Sequence, residues 1–227
     1  METAAKWPRR SRCRCWAVTE SGPLVVKIGG GLLRARGLDG LRQACSEARE
    51  MARRRPVLVV PGGGPFADTV RAVDAELGLA DDVAHELALG AMDQLGVLVH
   101  RLLPAAESLD ALLAPRGLAV LQSVPAFRNH PEVPTSWAVT SDSLAVLAAG
   151  AIGAREAVLL KDVPGVFARW PADGPPLPGL TAGELARLQA GGGGRAVDAY
   201  LAEAVRRTGV AAVVRDPAGA GTRITPG

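Results

Sequence analysis

Aromatic side chains are scarce in this chain, at 4% of 227 residues. That scarcity argues against the base-stacking platforms of single-stranded nucleic-acid binders. Cysteine is scarcer still. Three cysteines are too few for a disulfide scaffold: Cys13 and Cys15 form a lone C-x-C without the second pair a zinc site needs, and Cys45 falls in a helical pattern. A reducing, cytoplasmic setting is therefore expected. No run of eighteen apolar residues occurs, so no membrane span is read. Residues 1–21 contain no apolar stretch of signal-peptide length. The net charge of +3 owes much to Lys6, Arg9, Arg10, Arg12 and Arg14. Without them the chain is close to neutral, and no nucleic-acid partner is expected. Residues 1–21 read as a disordered basic extension.

The remainder is rich in short apolar runs alternating with helical patterns. "LVVKI" (24–28), "PVLVV" (56–60), "GLAVL" (117–121) and "AVLL" (157–160) read as strands, with late strands in "VAAVV" and "GTRIT". Helical spacing runs through "GLDGLRQACSEAREMARRR", "GPFADTVRAVDAEL", "DDVAHELALGAMDQLGVLVHRLL", "SDSLAVLAAGAIGA" and "VDAYLAEAVRRTG". Asp81 or Asp82 reads as the N-cap of the third of these. Thr181 and Glu184 have capping-box spacing. "FARWPADGPPLPG" reads as a surface loop. This β-α alternation implies an α/β fold with a mostly parallel sheet covered by helices on both faces.

Ligands gather at the carboxyl ends of strands in such sheets. Two strands here end in glycine triplets, Gly29-Gly30-Gly31 and Gly62-Gly63-Gly64, each feeding a helix. Glycine lets backbone N–H groups approach an anion closely, and the helix N-terminus adds a positive dipole end. Lys27 lies inside an otherwise apolar strand, where an unpaired ammonium is costly. A bound anion justifies it; an edge-strand lysine reaching out to water is the alternative. Neither loop fits the P-loop pattern or the dinucleotide fingerprint.

"VVKIGGG", "VVPGGGPFADTVR", "TSDSLAVLAAG" and "LLKDVPGVF" occur in an order and spacing that resembles the amino acid kinase superfamily, over nearly everything from Leu24 to Ile224. The resemblance implies a three-layer αβα sandwich, with an acceptor lobe over about 22–135 and a nucleotide lobe over about 136–227. It further implies ATP and Mg²⁺, a small-molecule phosphate or carboxylate acceptor, and a homo-oligomer. By position it gives Lys27 to the transferred phosphoryl group and Gly29, Gly30 and Gly31 to the ATP phosphates. Asp142 orients the cationic groups, and Lys161, Asp162, Gly165, Val166 and Phe167 form the nucleotide loop. Gly62, Gly63 and Gly64, with Arg71, His85 and Thr140, fall to the acceptor. Lys161 is favoured as second cation, with Arg195 in reserve, because "GGGGRAVDAY" places an arginine where acetylglutamate kinases have a lysine.

"DDVAHELALGAMDQLG", "PTSWAVTSDSLA" and "GTRI" look most like the aminomethylfuranyl-methyl phosphate kinase-like branch of methanofuran biosynthesis, which implies that a phosphate monoester becomes a diphosphate. Arg71 stands as a grip on the acceptor phosphate or as a solvated helix-face residue, and His85 as a substrate contact or a packed histidine. Trp137 and Phe127 wall a small ring or belong to the core. Ala138 stands where that branch has an aspartate. Isopentenyl phosphate, uridylate or acetylglutamate kinase activity, and a non-catalytic nucleotide-binding or storage role, are the alternatives.

Overall fold

The computed structural model describes residues 22–104, 106–109, 117–172 and 174–227; the expected extension over 1–21, with Cys13 and Cys15, lies outside them. The first half runs β1 (Leu24–Ile28), α1 (Gly30–Ala52), β2 (Val57–Pro61), α2 (Gly64–Leu77), α3 (Asp81–Leu102), β3 (Glu107–Leu109), β4 (Leu118–Leu121) and α4 (Ser123–Phe127). The second half runs α5 (Ser141–Ala151), β5 (Glu156–Leu160), β6 (Gly179–Thr181), α6 (Ala182–Ala190), α7 (Leu201–Thr208), β7 (Ala211–Arg215) and β8 (Thr222–Thr225). The strands form one sheet in the order β3-β4-β2-β1-β5-β7-β8-β6. Every pairing is parallel except β7 with β8.

Alternation along the strands divides the core into two layers. Val25, Leu58, Val60, Ala119 and Leu121 face a cluster that includes α5, α6 and α7. Leu24, Val26, Ile28, Val57, Val59 and Val120 face the opposite cluster, which includes Leu32, Leu41, Ala44 and Ala48 of α1 and Leu95 and Val99 of α3. The result is the three-layer αβα sandwich. With helices on both faces the central strands are continuously apolar, and β1 and β2 are buried at every position. β1 pairs with β2 on one side and β5 on the other. Lys27 therefore sits on an inner strand, and the edge-strand alternative is removed. The two-residue period sends its side chain to the face that carries Val25 and α5.

Thr181 and Glu184 form the capping box that their spacing implied. One other helix start differs from expectation. The N-cap of α3 is Ala80, with Asp81 and Asp82 inside the first turn, where their charge complements the helix dipole. α5 begins after Thr140, which makes no side-chain cap of its own. α1 is interrupted at Gly37, whose φ of 59° and ψ of −150° are non-helical. Phe127 is fully buried in the core and walls no ligand space.

Candidate active site

β1, β2 and β5 end side by side, and α1, α2 and α5 start around the same place. At this point Lys27 Nζ donates to Asp142 Oδ1 at 2.7 Å, and Lys161 Nζ donates to Asp142 Oδ2 at 2.6 Å. One carboxylate thus joins two ammonium groups, with side-chain exposures of 5% for Lys27, 3% for Asp142 and 15% for Lys161. The bridge carries one net positive charge away from bulk water. Burial alone would raise the Asp142 pKa; Lys161 and Lys27 overcome it and hold the carboxyl well below the usual range. Burial also pulls the Lys27 ammonium below its ordinary value, with Asp142 opposing and Lys161 reinforcing.

The glycine triplets meet each other as well as the bridge. Gly62 N–H donates to the Ile28 carbonyl at 2.9 Å. A Cβ on Gly30 would overlap the backbone of Gly64, and one on Gly62 would lie 2.7 Å from the Gly30 nitrogen. Gly64 has a φ of +54°, which disfavours a side chain in its own right. Part of the glycine requirement is therefore loop against loop. Gly31 faces the Asp162 carboxylate, and a Cβ on Gly29 would lie 2.7 Å from the Leu160 carbonyl.

Beside the bridge lies a cavity of about 200 Å³. Lys27, Gly30, Gly31, Gly63 and Gly64 line one end, and His85, Leu89, Met92, Trp137, Val139 and Leu144 the walls. Arg34, Arg71 and Thr140 also line it. Lys27, Arg71, His85 and Thr140 thus come together from four parts of the chain. His85 Nε2 is buried without a hydrogen-bond partner among the described residues, and burial lowers the imidazole pKa, which favours the neutral ring. Trp137 Nε1–H donates to Asp74 Oδ2 at 2.6 Å, and its ring lies 4.7 Å from the Arg71 guanidinium carbon.

The nucleotide-loop residues divide. Gly165, Val166 and Phe167 are buried, and Val166 N–H donates to Thr222 Oγ1 at 2.8 Å, tying the loop to β8. Asp162 is exposed beside Gly31. Arg195 is exposed too, and its Nε–H donates to the Gly192 carbonyl, so it takes no part in the bridge.

Two residues escaped the sequence reading. Asp198, from the irregular segment after the late glycine run, accepts from Thr140 N, Thr140 Oγ1 and Ser143 N, each at 2.9 Å, and from the Ser143 hydroxyl. It caps α5 from 55 residues away and fixes the turn that carries Asp142. Burial, and then the nearby Asp142 charge, push its carboxyl up to about 6. The donors of Thr140 are thereby committed to Asp198. Arg34, on the first turns of α1, lines the cavity beside Arg71. Neither residue stands in a motif; Asp198 was visible only as an acid next to a glycine run.

Comparison with known proteins agrees with this fold. The model of the amino acid kinase family matches residues 22–120 and 104–216. The 5-(aminomethyl)furan-3-ylmethyl phosphate kinase of Methanocaldococcus jannaschii is 30% identical over 153 residues, 65% of this chain and 69% of that protein. Uridylate kinase from Archaeoglobus fulgidus superposes with a TM-score of 0.70 at 19% identity, covering 89% of this chain and 99% of that one. Aspartate kinase from Synechocystis gives 0.72 at 17% identity, covering 91% of this chain and 40% of that one. A family match over most of the described fold, on strands that end at a buried two-lysine bridge, leaves one assignment: this chain belongs to the amino acid kinase family and is a phosphotransferase.

Proposed function

We propose that the protein transfers the γ-phosphoryl group of ATP to a small phosphate monoester, forming a diphosphate, and that the acceptor is 5-(aminomethyl)furan-3-ylmethyl phosphate or a close analogue. The observation that carries this reading is the Lys27–Asp142–Lys161 bridge beside a small cavity with cationic and apolar walls. Its 200 Å³ lies below the ~300–1,000 Å³ of pockets for drug-sized ligands, which favours a compact ring phosphate over a nucleoside monophosphate. The Methanocaldococcus jannaschii relative supports the furan.

The chemistry asks little of the protein beyond placement and charge. An oxygen of the acceptor phosphate attacks the γ-phosphorus, the bond to the bridging oxygen breaks, and ADP leaves with the electron pair. A phosphate nucleophile is already anionic, so no general base is needed. Lys27 and Lys161 meet the charge that spreads over the transferring group, and Asp142 keeps both ammoniums in place without diffusional freedom. In this reading Gly30 and Gly31 turn backbone N–H groups to the nucleotide phosphates, and Gly29, whose N–H donates to the Leu160 carbonyl at 2.8 Å, lets the loop pass close to them; Gly62, Gly63 and Gly64, with Arg71 and Thr140, face the acceptor. Asp162, Gly165, Val166 and Phe167 border the nucleotide in this reading, with Arg195 outside the reacting centre. His85 offers its unpartnered Nε2 to a polar group of the acceptor, and Trp137 offers a ring face. In this reading a magnesium ion is carried by the nucleotide phosphates. Such an ion supplies charge neutralisation.

Homo-oligomerisation belongs to the same reading: exposed Val73 and Leu77 on α2 and Val83 and Leu87 on α3 are apolar surface that a second copy would cover. A coupled ADP-release screen over furan, isoprenoid and nucleoside monophosphates tests the proposal. Turnover highest with the furan phosphate supports it. No acceptor-dependent ADP with any phosphate ester rejects it.

A further inference from the structure

We infer that Arg34 binds the acceptor phosphate together with Arg71, as one two-arginine clamp whose guanidinium groups are held apart by Asp68. This rests on the reading of the cavity as the acceptor site and names the residues that select a phosphate there. Arg34 comes from α1 and Arg71 from α2, the helices that open from the two glycine loops, and both line the cavity. Asp68 Oδ2 accepts from Arg34 Nε at 3.0 Å and also from Arg34 Nη2, while Asp68 Oδ1 accepts from Arg71 Nη1 at 3.3 Å. One carboxylate thus occupies two of the N–H donors of Arg34 and one of Arg71; a guanidinium has five. The remaining donors are available to a ligand, and the trio carries one net positive charge.

Stability does not account for this arrangement. The side chains of Arg34, Asp68 and Arg71 are 56%, 43% and 48% exposed, and ion pairs at that exposure contribute little to folding. The surroundings favour recognition instead. Trp137, anchored to Asp74, lies under the Arg71 guanidinium and restricts where it can go. Planar guanidinium forks match the oxygens of a phosphate, which takes two of them more readily than a carboxylate does. The clamp therefore selects dianionic phosphate acceptors over carboxylate ones, and Asp68 is the counter-ion that the incoming anion displaces from one or both arginines.

Arg34→Ala and Asp68→Ala separate this role from a mere strut between α1 and α2. A strut fails alike whichever end is removed; a clamp does not, because deleting Asp68 frees its arginines. Inorganic phosphate is titrated calorimetrically into each protein with a saturating non-hydrolysable ATP analogue present, so that the γ-phosphoryl position is filled. The acceptor KM is measured in parallel with furan-methyl phosphate. Arg34→Ala is expected to weaken phosphate binding about tenfold and raise the acceptor KM about 10- to 100-fold, with the KM for ATP changed less than about twofold. Asp68→Ala is expected to leave phosphate binding unchanged or tighter. Equal losses in both variants, or no effect of Arg34→Ala on either readout, overturns the clamp. If the wild type phosphorylates no phosphate ester, the proposed reaction falls, and the phosphate titration still decides the clamp by itself.

Discussion

Replacing Asp142 with asparagine keeps the shape of the bridge and removes its only negative charge. Asp142 is 2% exposed and Lys27 4% exposed, and among the described residues no other carboxylate is hydrogen-bonded to either ammonium, Asp198 acting on Lys27 only through its charge. The variant therefore leaves two like charges facing each other in a site largely closed to water. Breaking a buried pair by removing one partner costs about 3–5 kcal/mol, a large share of the ~5–15 kcal/mol that stabilises a typical domain. With a urea m-value near 3 kcal/mol per molar for a chain of this size, the unfolding midpoint should fall by roughly 1–1.7 M.

The pH dependence identifies the cause. Burial already lowers the Lys27 pKa, and without Asp142 the opposing attraction is gone. Between that depressed value and the ordinary lysine value, the unfolded chain binds more protons than the folded one. Stability then rises with pH. The deficit of Asp142→Asn should be largest near pH 7 and shrink toward pH 9–10. The wild type, whose Asp142 is held ionised, should instead lose this contribution only as the solution is acidified below the usual carboxylate range. Urea denaturation at a series of pH values reads both. A midpoint within about 0.3 M of wild type at pH 7, or a deficit that does not shrink with alkalinity, refutes the charge argument.

Lys161→Ala should lower kcat by about 10²–10³ with the KM for ATP little changed, as loss of one preorganised charge does, whereas Arg195→Ala should stay within about twofold of wild type; steady-state kinetics of the two variants decides which cation serves the reaction. Gly30→Ala should be insoluble or strongly destabilised, because its methyl group would overlap the Gly64 backbone; a soluble, active Gly30→Ala protein in a thermal melt contradicts the loop-against-loop packing. Asp198 sits near 6 in the folded chain and ionises near 4 when unfolded, so its contribution to stability falls between pH 4 and 6 by up to about 3 kcal/mol. Relative to wild type, Asp198→Asn should therefore gain stability across that window in chemical denaturation; a parallel pH profile rejects the assignment. Thr181→Ala removes one half of the capping box and should cost about 1 kcal/mol by the same method.

The layered fold was legible because each inner strand is a short apolar run and each long helix carries its own period. Lys27 announced itself by being a charge inside such a run, and the structure answers with Asp142 at 2.7 Å. The sequence was less informative where a role depends on distant partners. Asp198 caps α5 across 55 residues, and an acid in an irregular segment gives no local hint of that. Arg34 looks like any solvated residue on a helix until α2 brings Arg71 and Asp68 beside it. β3 and β6 are three residues each, too short to show a period. Asp81 and Asp82 have the composition of a cap, but the chain enters α3 one residue earlier. The glycine triplets suggested an anion site or a flexible strand-to-helix turn, and the close approach of Gly30 to Gly64 shows that packing also demands them.

The central claim is transfer from ATP to a phosphate oxygen through the Lys27–Asp142–Lys161 centre. Phosphorus-31 NMR of a reaction containing ATP, magnesium and furan-methyl phosphate follows that bond directly. The account predicts ADP together with a new pair of coupled resonances from the acceptor diphosphate, formed by the wild type and lost with Lys27→Ala. Release of inorganic phosphate alone, or unchanged diphosphate formation by Lys27→Ala, would contradict it.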